Sequence, residues 1–264
     1  MAGPTQTALA RPPWTAAMAG AAVGLAVTLA LAAPARWLTG ALARATGGQL
    51  VLSDARGTVW NGSGQLILTG GAGSQDAAAL PTRLDWRLRP AWGGLRAELR
   101  SACCTPKPVR MHLKLRTGGP LLSVDDATAQ FPAALLTGLG TPWNTLRIEG
   151  ELQLVTQGLS VEWPQGRPRI SGRAELTAQR VSSRLSTLRP MGSYRITLLG
   201  GATPTLQLST LEGSLQLNGT GQWVGSRLRF SGEAVAAPER EAALSNLLNI
   251  IGRRSGARSI ITIG

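Results

Sequence analysis

From Gln49 to about Ala236 the chain alternates apolar and polar residues with a period of two. That spacing puts successive side chains on opposite faces of a strand. Residues 83–89 place Leu84, Trp86 and Leu88 on one face, and residues 95–100 set Leu95, Ala97 and Leu99 against Arg96, Glu98 and Arg100. Residues 109–116 set Val109, Met111, Leu113 and Leu115 against Arg110, His112, Lys114 and Arg116. The alternation predicts a further strand through Leu146, Ile148, Leu152 and Leu154. It returns at Ile170/Ala174/Leu176, Tyr194/Ile196/Leu198, Leu206/Leu208, Leu215/Leu217 and Leu228/Phe230. Strands with one wet face belong to antiparallel sheets. A sheet of so many strands must curl to bury its apolar face. The expected fold is mainly β: a curled or folded-over antiparallel β-sheet, half-open and barrel-like.

Glycine and proline punctuate the pattern. Gly64, Gly150 and Gly213 each open a Gly-x-Leu-x-Leu string, with a looser copy at Gly172, which suggests strands entered through a glycine at a bulge or bend. Two pieces read as helix. Pro132 to Leu139 is a short Ala/Leu segment stopped by Gly140 and Pro142. Glu239 to Ile251 sets Leu244, Leu247, Leu248 and Ile251 at helical spacing, with acids in its first turn and Arg253-Arg254 at its negative end. This short C-terminal helix either covers an open end of the sheet or docks on a partner or a membrane surface. Ile260 to Ile263 predicts a last strand.

The N-terminus breaks the alternation altogether. Between Arg11 and Arg36 lie 24 uncharged residues, Pro12 to Ala35. As a helix they would span roughly 36 Å, against a hydrocarbon core of about 30 Å. Trp14 and Trp37 suit the two interfaces, and Ala33-Pro34-Ala35 offers small residues to a signal peptidase, although proline there impedes cleavage. The expected organisation is a short cytoplasmic leader (1–12), an uncleaved N-terminal transmembrane helix (13–35) and a periplasmic β-rich domain (36–264), with a cleaved signal peptide as the alternative. Ala16, Gly20 and Gly24 share a four-residue spacing that lets membrane helices approach closely, though an alanine-rich segment gives such spacing often.

Composition narrows the chemistry. The formal charge is +13, carried almost wholly by arginine, since Lys107 and Lys114 are the two lysines. The arginines are scattered through alternating strands with few aromatics between them, which argues against nucleic acid and for solvated strand edges, anionic headgroups or acidic partners. One His and two Cys cannot build a His/Cys-only zinc site. His112 falls on a charged strand face and reads as solvated. Cys103 and Cys104 are adjacent on a turn, and the pair reads either as free thiols or as a vicinal disulfide. Asp125-Asp126 precede the first helical piece, where one of them would cap backbone N–H groups. Glu149 and Glu151 flank Gly150. Gly219-Thr-Gly221 sits between strands and is too short for a dinucleotide fingerprint. No catalytic, cofactor-binding or metal residues are assigned; the chain reads as a non-enzyme without cofactors.

Several strings together resemble the type II secretion system protein N (general secretion pathway protein N) family. They are Gly57-Thr-Val-Trp60-Asn-Gly62-Ser-Gly64, Leu84-Asp-Trp86-Arg-Leu-Arg-Pro90, Gly192-Ser-Tyr194, the run from Leu208 to Trp223, Phe230-Ser-Gly232-Glu-Ala, and the helix running into Ile250-Ile251-Gly252-Arg253-Arg254. The resemblance implies a single-pass protein of the bacterial inner membrane with most of its chain in the periplasm. It implies an accessory of the machine that exports folded proteins across the outer membrane, with other secretion subunits as partners, and neither an enzyme nor a cofactor. It also implies a distant likeness to proteins whose curled sheets hold lipid. Two functions stay open: docking on secretion-machine subunits, or binding of lipid or another apolar ligand along a face that includes Trp86, Leu113, Leu154 and Leu217.

Overall fold

The computed structural model describes residues 14–164, 168–225 and 227–264. Two helices, α1 (Trp14–Leu31) and α2 (Ala35–Ala45), lead into the β region. Its first half runs β1 (Leu50–Gly57), β2 (Asn61–Thr69), β3 (Ala77–Ala79), β4 (Leu84–Ala91), β5 (Gly94–Ser101), β6 (Val109–Arg116), β7 (Gly119–Val124) and β8 (Ala127–Pro132). A 3-10 helix (Ala133–Leu139) and one helical turn, α3 (Trp143–Leu146), separate it from the second half. There follow β9 (Glu149–Glu162), β10 (Arg169–Ser182), β11 (Gly192–Leu199), β12 (Thr205–Gly213), β13 (Leu215–Val224) and β14 (Arg227–Ala236). Helix α4 (Glu241–Ile251) and strands β15 (Arg253–Ser255) and β16 (Arg258–Ile263) complete the chain.

All the strands join one antiparallel sheet, in the order β1-β2-β4-β5-β6-β7-β9-β10-β11-β12-β13-β14-β16-β15, with β3 on β2 and β8 on β9. Strands β1 and β15 end that order, so the sheet is open and not a closed barrel. The register follows the alternation: Leu52 faces Leu66, Trp86 faces Leu99, Leu113 faces Leu122, and Leu176 faces both Leu154 and Ile196. A slip of one residue would turn any of these strands inside out, so the apolar face itself fixes the pairing.

Two aromatic side chains lie flat on glycines of neighbouring strands. Gly62 pairs with Trp86, and a Cβ there would come 2.5 Å from Trp86 Cζ2. Gly219 pairs with Gly232 beside Phe230, whose ring occupies the space a Gly219 Cβ would need. Gly219-Thr-Gly221 therefore lies within β13, not between strands; its glycines make room for a ring. The Gly-x-Leu-x-Leu copies likewise differ in place. Gly150 enters β9 as expected, but Gly64 lies inside β2, Gly172 sits at a bulge in β10, and Gly213 ends β12.

The helical expectations hold with adjustments. Ala133–Leu139 is 3-10, the C-terminal helix begins at Glu241, and the last strand extends back to Arg258. Leu146 is not on a strand: it closes α3, Arg147 turns the chain with φ 43°, and β9 starts at Glu149.

The N-terminal helix is shorter than the 13–35 expected of it. Helix α1 has 18 residues, about 27 Å at about 1.5 Å per residue, just short of a hydrocarbon core. Among the described residues no helix is long and apolar enough to cross a membrane. The helix ends because Pro34 disfavours a helical residue before it. Val59 N–H then donates to Ala33 O at 2.8 Å, and Pro34 bridges Thr58, which stitches the chain to the β1–β2 turn. Residues 35–45 form a second, amphipathic helix between α1 and the sheet. The leader 1–12 lies outside the described residues.

Candidate functional site

The apolar face of the sheet is roofed by a helix at each of its two flanks. At the C-terminal flank α4 buries Leu244, Leu247 and Leu248 against Tyr194, Leu215 and Ala234. At the N-terminal flank α2 lays Ala35, Leu38 and Leu42 on Leu52 and Trp86. The indole N–H of Trp86 is shared between Thr58 O at 3.2 Å and Val59 O at 3.1 Å, so a full-size aromatic is buried with its polar atom satisfied. A smaller cluster, Leu80, Cys104 and Leu135, fills the middle under the 3-10 helix.

The four residues expected to line one ligand-binding face therefore go to different places. Trp86 is buried under α2, Leu217 packs on the α4 cluster, and Leu113 and Leu154 stay half-buried between those flanks. What the structure does leave open is a trough of about 840 Å³ at the free end of β12–β14 and β16, lined by Leu206, Phe230 and Ile263 with Gln207, Gln222 and Arg229 at its polar margin. That volume lies within the range of small-molecule sites, about 300–1,000 Å³.

The polar candidates resolve into pairs. His112 is not freely solvated: its Nε2 lies 3.2 Å from Asp125 Oδ1 across the sheet surface. Asp125 and Asp126 do not cap a helix, because β8 follows them. Asp126 Oδ1 instead accepts from Gly158 N–H at 2.7 Å, tying the β7–β8 junction to β9. Glu149 pairs with Arg189 at 3.4 Å and Glu151 with Arg180 at 3.1 Å. Each acid is thus matched to a surface arginine. Asp54 is held below the usual carboxylate range, first by the hydrogen bond from Arg83 at 2.7 Å and then by the charge of Arg56. Burial pushes the Tyr194 hydroxyl well above its ordinary value, and that hydroxyl donates to Leu215 O at 3.1 Å. No group of His, Cys, Asp or Glu among the described residues could hold a metal ion.

Cys103 and Cys104 are joined as a vicinal disulfide, which settles the alternative left open by the sequence. Cys104 is buried, and its carbonyl accepts from Gln130 N–H at 2.7 Å. The disulfide turn thereby occupies part of the edge of β8 that no strand covers. Both cysteines, with Phe131 and Leu152, border a second hollow of about 450 Å³.

Helix α2 and the solvent-facing Trp92 were missed in the sequence. Ala35, Leu38 and Leu42 carry helical spacing, but they follow directly on an uncharged run that drew the reading toward a single span. Trp92 lies at a hairpin tip where alternation stops, so pattern alone gives it no face.

The family model for type II secretion system protein N matches residues 48–261, which is most of the chain. The chain belongs to that family. No curated protein and no solved structure matches it. A type II secretion protein N is an accessory of a membrane-associated export machine, and membership implies contact with other secretion subunits. The match begins three residues after α2 and takes in nearly the whole sheet. The β region is therefore the part shared with the family, while α1 and α2 lie before it.

Proposed function

We propose that this protein is a non-catalytic accessory of type II secretion that docks on other secretion subunits from the periplasmic side of the inner membrane. The family match over residues 48–261 carries the reading. Pairing of the candidate acids with surface arginines supports the non-catalytic part.

Attachment to the inner membrane is part of the proposal. Helix α1 is apolar on all sides, and Trp14, Met18, Val23, Leu25 and Leu31 are more than half exposed. A helix apolar all round belongs in a core or a membrane, and among the described residues α1 joins none of the buried clusters. The uncharged sequence from Pro12 to Ala35 brackets it, so α1 enters the bilayer with the sheet left outside. An affinity pull-down from mildly solubilised membranes tests the whole reading. Other secretion subunits should co-purify without stoichiometric lipid.

A second reading rests on the open trough beside Phe230: the sheet binds a lipid or another apolar ligand there. Stoichiometric lipid with no secretion partner in the same eluate would favour it and sink the docking role.

A further inference from the structure

We propose that the tip of the β4–β5 hairpin, together with the adjoining β6–β7 tip, is a pad that rests on an anionic lipid surface. The proposal rests on the reading that α1 enters a bilayer.

Position comes first. Helix α1 leaves the sheet at Ala33–Pro34, against Thr58 and Val59. Strand β4 runs past that root, with Leu88 N–H donating to Trp60 O at 2.7 Å. From Leu88 the strand continues to Trp92, four residues on, or about 13 Å at about 3.3 Å per residue. The hairpin tip therefore reaches beyond the point where α1 departs, at the same end of the sheet.

The tip has the composition of an interfacial contact. The turn is Trp92-Gly93 between paired Ala91 and Gly94, with Gly93 at φ 73°. Trp92 is fully exposed, and Leu115, beside it on β6, is 70% exposed. Leu115 N–H donates to Gly93 O at 2.9 Å, so the two hairpins are tied together at their ends. An indole with no protein cover suits the boundary between water and hydrocarbon, where its ring and N–H are both accommodated.

The charges change character along the same two hairpins. Toward the middle of the sheet, cross-strand neighbours are complementary: Asp85 faces Arg100, Arg87 faces Glu98, and Glu98 also faces Arg110. At the tip, Arg89 faces Arg96, and Lys114 sits one pair further on the same polar face, opposite Gly94. Like charges placed opposite each other destabilise a sheet. Among the described residues no carboxylate pairs with Arg89, Arg96 or Lys114, whereas nearby Arg116 has Glu162 at 3.6 Å. Complementary pairing is thus abandoned at the tip where the fully exposed Trp92 projects. Phosphate headgroups would supply the missing anions, each cation near such a surface gaining about 1 kcal/mol.

The test uses the full chain with a fluorophore on Thr117→Cys, an exposed turn position on the neighbouring tip, leaving Trp92 in place. The native cysteines are oxidised and do not compete for the label. A second preparation carries the label on Val23→Cys within α1. Both are reconstituted into phosphatidylcholine vesicles with and without phosphatidylglycerol, and quenching by headgroup-labelled lipid is read.

The expected result is quenching at position 117 that depends on phosphatidylglycerol, fades with salt, and weakens about fivefold in docked-to-undocked ratio for each of Arg89→Ser and Arg96→Ser. Trp92→Ser should weaken it too. Quenching at 23 with none at 117 overturns the pad and leaves α1 insertion standing. Quenching at 117 with none at 23 upholds the pad and removes the membrane reading of α1, and no quenching at either site overturns both. Equal quenching at 117 in uncharged vesicles overturns the assignment to anionic headgroups. A label at 117 already shielded before lipid is added would give the tip to a second copy of the chain, again against the proposal.

Discussion

The two flanks of the sheet solve one problem with different means. At the C-terminal flank three leucines of α4 enter a cluster built from β10, β11, β13 and β14, and the fit is spread over many side chains. At the N-terminal flank α2 rests on few buried residues, and one of them, Trp86, contributes most of the volume and both hydrogen bonds to the 58–59 turn. A roof distributed over many contacts loses a fraction of its stability when one is cut. A roof pinned on a single indole loses its anchor, and with it the stitch that holds the root of α1. The difference suits a molecule whose N-terminal flank faces α1 and whose C-terminal flank is only a body.

Trp86→Ala should show the contrast most strongly. Removing a buried tryptophan costs about 3–5 kcal/mol. The loss should be regional: amide exchange should speed up through α2, β1, β2 and β4 while β13, β14 and α4 stay protected. Equal acceleration in both flanks would mean that the sheet opens as one unit and that the comparison is wrong. Leu244→Ala, at the fully buried centre of the other roof, should cost about 2–5 kcal/mol by urea unfolding. Its exchange should rise in α4 and β14 and leave α2 untouched.

Smaller effects come from the glycines under the rings. A Cβ at Gly62 meets Trp86, and one at Gly219 meets Phe230. Gly62→Ala and Gly219→Ala should each cost about 1–3 kcal/mol through overpacking. Only Gly62→Ala should disturb the α2 amides. A Gly62→Ala protein as stable as the parent would show that the indole has room to shift and does not pin the flank.

The sheet was readable because alternation has one meaning for a half-buried strand: every run from Leu84 to Phe230 except the stretch at Leu146 became part of a strand. Leu146 failed since Trp143 to Leu146 is too short to show a period, and a helical turn and a strand end look alike over four residues. Helix α2 carried its signal at Ala35, Leu38 and Leu42, but a break of a few residues around Pro34 is hard to separate from a continuous span when no charge intervenes. The pairings of His112 with Asp125 and of Asp126 with Gly158 were beyond reach, because they depend on β7 and β8 lying end to end along β9. The like-charged tip required the register as well: Arg89 and Arg96 are seven residues apart in sequence and become opposed only when Ala91 and Gly94 close the turn.

The smallest expected effect bears on the same N-terminal flank. Arg83 reaches from β4's start to Asp54 on β1 across the intervening β2, contacting the Asp54 carboxylate at 2.7 Å and its carbonyl at 2.6 Å. Because the Asp54 pKa is depressed, any stability it lends is present above the usual carboxylate range and is lost as pH falls through its folded value. The pair is exposed, so little global stability is at stake. Arg83→Ala should raise the Asp54 pKa toward its ordinary 3.8, read by carbon-detected NMR titration, with Arg56 still holding it slightly low. Thermal unfolding at neutral pH should barely move, and the difference between parent and variant should vanish once the pH lies below the lowered Asp54 value of the parent, where both carboxyls are protonated. A rise in the Asp54 pKa accompanied by faster exchange in α2 would tie this clamp to the Trp86 roof, and would make the N-terminal flank less dependent on one side chain than its packing indicates.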